Sequence, residues 1–260
     1  MSIKMILTDL DGTLLRSDGS ISERTKRILK SCQNRGIYVA IATARYWIGA
    51  ERYIEEIRSD YEITTDGTLI HQQGEQIYSC SFDTKDTNQI IQDLLAQDSK
   101  TEITVAAGRQ VFWNSNHIAE SEKLHKAVFN DYRKPLSCRA NKIVAELSDY
   151  EIAAQIANRN HCRLQSYRGE NWYAFLPETA GKVQAIRELA KILEISSGDI
   201  VAFGDDKNDM EMLKICGIGV AVANAVSEVK DVADSIALSN DEDGVAEWLA
   251  KNVLAERVSR

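Results

Sequence analysis

Residues 3–14 have the sequence IKMILTDLDGTL, in which a short apolar run passes directly into two acids and a glycine. The run from Ile3 to Leu7 is typical of a strand that is buried on both faces, as in a parallel sheet. Asp9, Asp11 and Gly12 follow at the carboxyl end of that strand. Ligands of open parallel sheets bind beyond the carboxyl ends of the strands, so this stretch predicts a sheet and the edge at which a site forms.

The following residues repeat the alternation of strand and helix. Ser20 and Glu23 form a capping-box pattern before the first helix. Apolar runs predict strands at Ile37–Ala42 and Tyr61–Thr64, and helical spacing occupies Trp47–Ile57 between them. This βαβαβ order predicts a parallel sheet with right-handed crossovers.

The middle of the chain has a different pattern. Hairpins are predicted at 69–82, around Gln73-Gly74-Glu75, and at 103–113, around Gly108-Arg109. Helices are predicted near 86–97, 119–130 and 148–159, and strands near 143–147, 162–167 and 172–176. Strand pairs mixed with helices indicate a separate α+β unit.

After Pro177 the alternating pattern returns, with a helix at 181–193 and strands at 200–203 and 218–223. The simplest arrangement is an α/β fold whose core is a Rossmann-like, doubly wound parallel sheet, interrupted by an α+β insertion. We therefore expect core residues 1–81, an inserted domain at 82–178 and further core residues 179–260.

The amino-acid composition argues against several classes of partner and of metal or disulfide site. The 260 residues include 31 basic and 39 acidic side chains, a formal net charge of −8, which argues against nucleic acid or an anionic membrane surface as partner. The five cysteines are widely spread and include no CxxC pair, so neither a zinc site nor a disulfide framework is indicated. The N-terminus has no signal-peptide pattern, and no stretch reaches the roughly 20 apolar residues of a membrane span. We expect a cytoplasmic protein with reduced thiols.

Polar side chains follow several predicted core strands. They are Asp9 and Asp11 after the first strand, Thr43, Ala44 and Arg45 after the second, Asp205, Asp206, Asn208 and Asp209 after the strand at 200–203, and Lys182 at a helix start. Carboxylates that meet at one point repel each other unless a cation lies between them, and Mg²⁺ prefers oxygen ligands. The set predicts a magnesium site.

The same residue types suit phosphoryl transfer. A carboxylate can attack phosphorus to give an aspartyl-phosphate intermediate. The remaining work is positioning and neutralising the charge on the phosphoryl oxygens, which a threonine hydroxyl, a lysine ammonium and backbone N–H groups can do. Gly12 lets the backbone approach a phosphate closely.

The combined order of these residues resembles the haloacid dehalogenase (HAD) superfamily, specifically its type IIB, Cof-like sugar-phosphatase branch. DLDGTLL lies at 9–15, TAR at 43–45 and GDDKNDMEML at 204–213, and the tail GIGVAVANAVSEVKDVADSIALSNDEDGVAEWL also resembles this branch. The resemblance spans essentially the whole chain. It implies a HAD-like core with a specificity-determining cap at 82–178. It also implies a magnesium-dependent phosphatase that acts on a small phosphorylated metabolite such as a sugar phosphate.

The resemblance also implies a role for each matching residue. Asp9 is expected to be the nucleophile and a metal ligand, and Asp11 the general acid/base with its backbone carbonyl on the metal. Asp205 and Asp209 are expected to complete and orient the metal shell. Substrate and phosphate are expected to contact Leu10, Thr43, Ala44, Arg45, Lys182 and Asn208. Lys182 is also expected to screen Asp9 from the other acids.

Some positions depart from the usual pattern of the branch. Ala44 and Val183 each stand where a glycine is usual, changes that we expect to affect packing alone. Asp66 stands where asparagine is favoured, and its carboxylate either repels an anionic substrate or turns outward as a loop acid. The candidates to contact substrate from the cap, which also fit ordinary surface or sheet positions, are Arg139, Lys142, Arg163, Arg168, Glu170, Asn171 and Trp172.

Two other hypotheses use the same residues. A phosphomutase of the same superfamily would retain the phosphoryl group and pass it on. A non-catalytic phospho-ligand-binding or signalling protein, such as a receiver domain, also has acids, a threonine and a lysine at strand ends. A receiver domain is much shorter, however, and lacks an acid cluster after the lysine. We expect a monomer or a weak homodimer.

Overall fold

The computed structural model describes residues 3–115, 126–167 and 171–255. By its internal contacts the chain divides into two compact units. The first contains Met1–Ala44, Ala50–Ile77 and Lys182–Arg260, and the second contains Arg45–Gly49 and Tyr78–Gly181. Within the described ranges, no helix combines the length and the apolar character that crossing a bilayer requires.

The secondary structure alternates in the first unit and is mixed in the second. The strands are β1 (Met5–Thr8), β2 (Tyr38–Ala42), β3 (Tyr61–Thr64), β4 (Leu69–Gln72), β5 (Glu75–Ser79), β6 (Ile103–Ala107), β7 (Gln110–Trp113), β8 (Val128–Phe129), β9 (Lys142–Glu146), β10 (Cys162–Ser166), β11 (Trp172–Pro177), β12 (Ile200–Gly204), β13 (Ile218–Ala221) and β14 (Ser235–Ile236). The helices are α1 (Glu23–Asn34), α2 (Trp47–Ile57), α3 (Thr84–Leu95), α4 (Tyr150–Arg159), α5 (Lys182–Ile192), α6 (Met210–Ile215), α7 (Ser227–Val232) and α8 (Gly244–Leu249).

The first unit is built on an eight-stranded sheet in the order β14-β13-β12-β1-β2-β3-β4-β5. The strands from β14 to β3 run parallel to their neighbours, and β4 returns antiparallel to β3. Ile6, Leu7 and Val39 are fully buried, as expected for a parallel sheet covered on both faces. The predicted α/β fold with a doubly wound parallel core is confirmed. Because β1 lies between β2 and β12, the carboxyl ends of these three strands meet at one edge.

The start of α1 differs from the prediction. Ser22 is the N-cap, because its side chain accepts a hydrogen bond from the N–H of Thr25. Glu23 is already the first residue of the helix. The predicted capping box of Ser20 and Glu23 is therefore wrong, since the capping side chain must come from the residue directly before the helix.

The second unit is built on a six-stranded sheet in the order β10-β11-β9-β6-β7-β8. Its buried cluster joins Ile90 of α3 and Ile156 of α4 to Ile143 and Phe175 of the sheet. The predicted hairpin of β6 and β7 forms. Val128–Phe129 is a strand beside β7, so the helix predicted at 119–130 is wrong at that end, because tertiary pairing overrides local propensity. Residues 119–125 of that predicted helix, and Arg168 and Glu170, lie outside the described residues.

Candidate active site

The loop after β1 carries the first candidate residues. The N–H of Asp9 donates to the carbonyl of Phe203 at 3.0 Å, so Asp9 continues the pairing of β1 with β12. Its side chain is buried. Gly12 has a φ of +73°, and a Cβ there would lie 2.9 Å from the Cγ of Asp205. The loop can therefore approach Asp205 this closely only because Gly12 has no side chain.

The loop after β12 fixes the second pair of acids. Asp209 is buried, and its Oδ2 accepts hydrogen bonds from the N–H of Asp205 at 3.1 Å and the N–H of Asp206 at 3.3 Å. Thr13 donates its hydroxyl to the Oδ1 of Asp205 at 2.6 Å. Asp209 thus holds the loop after β12, residues 205–209 (the acid loop), from within. Thr13 holds it from the loop after β1, residues 9–15 (the β1 loop).

Lys182 connects the two loops through its ammonium. It is the first residue of α5, and its Nζ lies 2.6 Å from the Oδ1 of Asp9 and 2.6 Å from the Oδ1 of Asp209. All three side chains are buried. The ammonium therefore lies between two carboxylates that would otherwise face each other.

Burial and neighbouring charges shift the pKa values of Asp9, Asp205 and Lys182. It raises the pKa of Asp9 well above its usual value; the ammonium of Lys182 opposes this, and the carboxylates of Asp209 and Asp205 add to it. Burial also raises the pKa of Asp205 to about 6, against the hydrogen bond from Thr13. Burial alone would lower the pKa of Lys182, but Asp209 and Asp9 outweigh it and raise that pKa above its ordinary value. Lys182 therefore remains protonated.

The chemistry of the donor set fits a divalent metal ion. Asp9, Asp205 and Asp209 each offer a carboxylate oxygen, and these oxygens all lie within 4.8 Å of one another. When ionised, the three carboxylates and the single ammonium of Lys182 carry a formal charge of −2. A hard divalent cation with oxygen ligands would balance that charge.

Thr43 follows β2 at the same edge of the sheet. Its N–H donates to the carbonyl of Ile63 at 2.9 Å, and its own carbonyl accepts from the N–H of Asp66 at 3.3 Å. Asp66 has a φ of +57° and is only 4% exposed. Of the two alternatives for Asp66, the outward-turned loop acid is therefore wrong, because the residue is buried beside Thr43.

The other predicted site residues of the first unit have varied surroundings. Leu10 is fully buried, so its backbone is the part that a ligand could contact. Asp11 and Asn208 are exposed, and Ala44 is half-buried. The carboxylate cluster does not include Asp11. The atom of Asp11 that was predicted to bind the metal is its backbone carbonyl oxygen.

The described cap candidates lie in the second unit, as does Arg45, which donates to the carbonyl of Gly49 at 2.9 Å. Lys142 is buried, with its ammonium 5.1 Å from the centroid of the Tyr46 ring. Arg163 donates to the carbonyl of Ala180 at 2.6 Å. Arg139 donates to the hydroxyl of Ser81, and Trp172 pairs with Glu146 in the sheet. The carbonyl of Asn171 accepts from the N–H of Leu147.

Sequence reasoning assigned no role to Thr13, although its hydroxyl holds Asp205. The signal was present, since Thr13 lies two residues beyond Asp11 in the loop that predicted the site. Its partner, however, is 192 positions away in the chain.

Comparison with known proteins identifies the family. The sequence model of the haloacid dehalogenase-like hydrolases matches residues 6–249. Phosphatase YwpJ of Bacillus subtilis is 27% identical to this chain, covering 95% of it and 99% of its own length. The 5-amino-6-(5-phospho-D-ribitylamino)uracil phosphatase YwtE of the same organism is 25% identical, covering 95% and 97%.

Solved structures agree in fold. The HAD subclass IIB sugar phosphatase BT4131 has a TM-score of 0.79 at 19% identity, covering 95% of this chain and 97% of its own. This likeness shows the fold, and the family match confirms both the predicted resemblance to the haloacid dehalogenase superfamily and the predicted class of enzyme, a hydrolase. Since the matched residues span nearly the whole sequence, this chain belongs to the haloacid dehalogenase-like hydrolases.

Proposed function

We propose that this hydrolase is a magnesium-dependent phosphatase that cleaves a small phosphorylated metabolite, a sugar phosphate, through an aspartyl-phosphate on Asp9. The observation that carries the proposal is the cluster of three carboxylates, Asp9, Asp205 and Asp209, of which the buried Asp9 and Asp209 share the ammonium of Lys182, with a formal charge of −2. The phosphatase names of YwpJ and YwtE support the reaction class.

The metal ion would be held by the carboxylates of Asp9, Asp205 and Asp209, together with the backbone carbonyl of Asp11. When bound, Mg²⁺ would offset the repulsion among these acids and keep Asp9 ionised by lowering its pKa. Burial acts in the opposite direction, because it raises the pKa of Asp9.

In the first half of the reaction, a carboxylate oxygen of Asp9 attacks phosphorus while the bond from phosphorus to the leaving oxygen breaks. Lys182 and the hydroxyl of Thr43 neutralise the phosphoryl oxygens as charge builds on them. Asp11 donates its proton to the leaving alkoxide. Asp11 is exposed, so the leaving group of a bound substrate can reach its side chain.

In the second half, Asp11, now ionised, takes a proton from a water molecule that attacks the aspartyl-phosphate. The bond from phosphorus to Asp9 breaks, and inorganic phosphate leaves with Asp9 restored as a carboxylate. The same two acids therefore complete the cycle with no net change in their protonation.

Substrate selection is assigned to the insertion, residues 82–178, which forms the larger part of the second unit. The proposed sugar phosphate draws support from two similar proteins, since BT4131 is named a sugar phosphatase and YwtE is named for a phosphorylated ribityl compound. Both substrates carry a phosphate on a chain of hydroxyl-bearing carbons. We extend that substrate class to this chain.

The test is phosphate release from a panel of phosphorylated metabolites, measured with MgCl₂ and after exhaustive chelation. We expect release from sugar phosphates with MgCl₂, none after chelation, and recovery when MgCl₂ is restored. Full activity after chelation would contradict the magnesium mechanism. Activity on aryl phosphates without any on sugar phosphates would contradict the substrate class alone.

A further inference from the structure

A short segment after β13 contacts both loops that carry the carboxylate cluster. The side chain of Asn224 donates from Nδ2 to the carbonyl of Gly12 at 2.7 Å. Two residues later, the N–H of Val226 donates to the carbonyl of Asp205 at 3.0 Å. One segment therefore binds the β1 loop through a side chain and the acid loop through its backbone.

The amide of Asn224 has a single satisfactory orientation. Its Oδ1 accepts from the N–H of Asn240 at 2.9 Å, while its Nδ2 donates to Gly12. Exchanging the oxygen and nitrogen would place a donor against an N–H and an acceptor against a carbonyl. Asn240 is buried and donates to the carbonyl of Leu15 at 2.9 Å. The two asparagines thus hold both ends of the turn that follows Asp9.

The position of the Gly12 peptide matters because the two loops come very close there. A Cβ on Gly12 would lie 2.9 Å from the Cγ of Asp205, and the adjacent Thr13 donates to the Oδ1 of Asp205. A magnesium ion requires near-ideal octahedral oxygen geometry. A small shift of this peptide would move Asp205 relative to Asp9 and distort the set of ligands.

We propose that Asn224 is a positioning residue that fixes the β1 loop against the acid loop and thereby sets the affinity for Mg²⁺ and the rate of phosphoryl transfer. The magnesium part rests on the proposed function. The effect on the loop does not, because it follows from hydrogen bonds within the chain itself.

The experiment compares Asn224→Asp, Asn224→Ala and a control, Asn252→Ala. The aspartate keeps the acceptor for Asn240 and loses the donor to Gly12, whereas the alanine loses both. Asn252 donates to the carbonyl of Trp248 at 2.8 Å and is exposed like Asn224, so its variant removes a similar bond elsewhere. Three measurements follow: amide hydrogen exchange of residues 9–15 in metal-free protein, calorimetric titration with MgCl₂, and kcat and KM on p-nitrophenyl phosphate.

In both Asn224 variants, the amide hydrogens of residues 9–15 should exchange faster, and Mg²⁺ should bind about 10-fold more weakly, as expected for a residue that orients ligands. The fold decrease in kcat should exceed the fold increase in KM. The control should match the wild type. Exchange at 9–15 and Mg²⁺ affinity that equal those of the control would overturn the proposal. A wild type that binds no Mg²⁺ would instead contradict the proposed function, and hydrogen exchange would still decide the role of Asn224.

Discussion

The Nζ of Lys182 lies 2.6 Å from the Oδ1 of Asp9, and both residues are only 6% exposed. Removing two charges from water is costly, and their attraction offsets that cost only when the geometry is favourable. Such a pair is therefore weak support for stability in itself. In the proposed mechanism, the main contribution of Lys182 is instead to hold a positive charge where phosphoryl oxygens would bind.

Replacing Lys182 by methionine tests this. Lys182→Met keeps the length of the side chain but leaves Asp9 and Asp209 buried without their shared cation. We expect kcat to fall by about 10²–10³-fold, and the free energy of unfolding to fall by about 3 kcal/mol. Lys214→Met is the matched control, because Lys214 forms an exposed ion pair with Glu211 at 2.7 Å. Steady-state kinetics and denaturant unfolding give both quantities, and unchanged turnover in Lys182→Met would contradict the role.

Asp9→Asn keeps the shape of the side chain and removes the nucleophile. We expect no phosphoenzyme and no turnover, because an amide cannot replace an ionised carboxylate in attack on phosphorus. Intact-mass analysis of protein quenched during turnover is the measurement. A phosphate-mass adduct on the Asp9→Asn protein would show that another residue is the nucleophile.

Asp11→Asn separates the second acid from the first. The variant keeps its backbone carbonyl and loses proton transfer, so it should bind Mg²⁺ normally and turn over about 10²–10⁴-fold more slowly on alkyl phosphates. The rate of the first step should fall less for aryl phosphates, because a phenolate leaving group needs no proton. Burst kinetics on both substrate types measure that step, and equal defects would mean that Asp11 is not the general acid.

Asp205→Asn should make the metal-free protein more stable and insensitive to Mg²⁺. The raised pKa of Asp205, about 6, means that ionisation costs folded-state stability as pH rises from about 4 to 6. At pH 7.5 the variant should gain about 1–2 kcal/mol, since one pKa unit is about 1.4 kcal/mol and the side chain is partly solvated. At pH 4 the gain should vanish. Thermal unfolding with and without MgCl₂ tests this, and a wild-type response to MgCl₂ in the variant would exclude Asp205 as a ligand.

Gly12→Ala and Gly36→Ala form a matched pair. Both glycines have a positive φ, +73° and +78°, so alanine costs similar backbone strain at each. A Cβ at position 12 collides with the carboxylate of Asp205, whereas one at position 36 meets nothing within 4 Å. We expect Gly12→Ala to weaken Mg²⁺ binding measured by calorimetry and Gly36→Ala to leave it unchanged. Equal loss in both variants would indicate that strain, rather than the collision, is responsible.

Much of the first unit could be predicted from local pattern. The bounds of α2 and β3 were predicted as Trp47–Ile57 and Tyr61–Thr64, because clear periodicity is enclosed by polar breakers. The helix predicted at 119–130 was wrong at its end, where Val128 and Phe129 pair with β7. Pairing between strands depends on neighbours in space, which local periodicity does not contain.

The candidate site could likewise be predicted only in part from the sequence. Its acids could be predicted because strand ends in a parallel sheet share one edge. The contacts that orient those acids could not, since Thr13 meets Asp205 across 192 positions and Asn224 meets Gly12 across 212. Hydroxyl and amide side chains occur throughout any sequence, and only the folded chain shows which carbonyl or carboxylate each one meets.

The pentapeptide Arg45–Gly49 belongs to the second unit although the first unit continues on both sides of it. Within the second unit, the hydroxyls of Tyr46 and Thr104 form a hydrogen bond at 3.1 Å. The guanidinium of Arg109 lies 4.1 Å from the centroid of the Trp47 ring. Deleting Tyr78–Gly181 would remove these partners of the Tyr46 and Trp47 rings, and exposed aromatic surface promotes aggregation. A swap of the insertion between relatives should therefore include this pentapeptide, because Arg45–Gly49 and Tyr78–Gly181 together form the second unit.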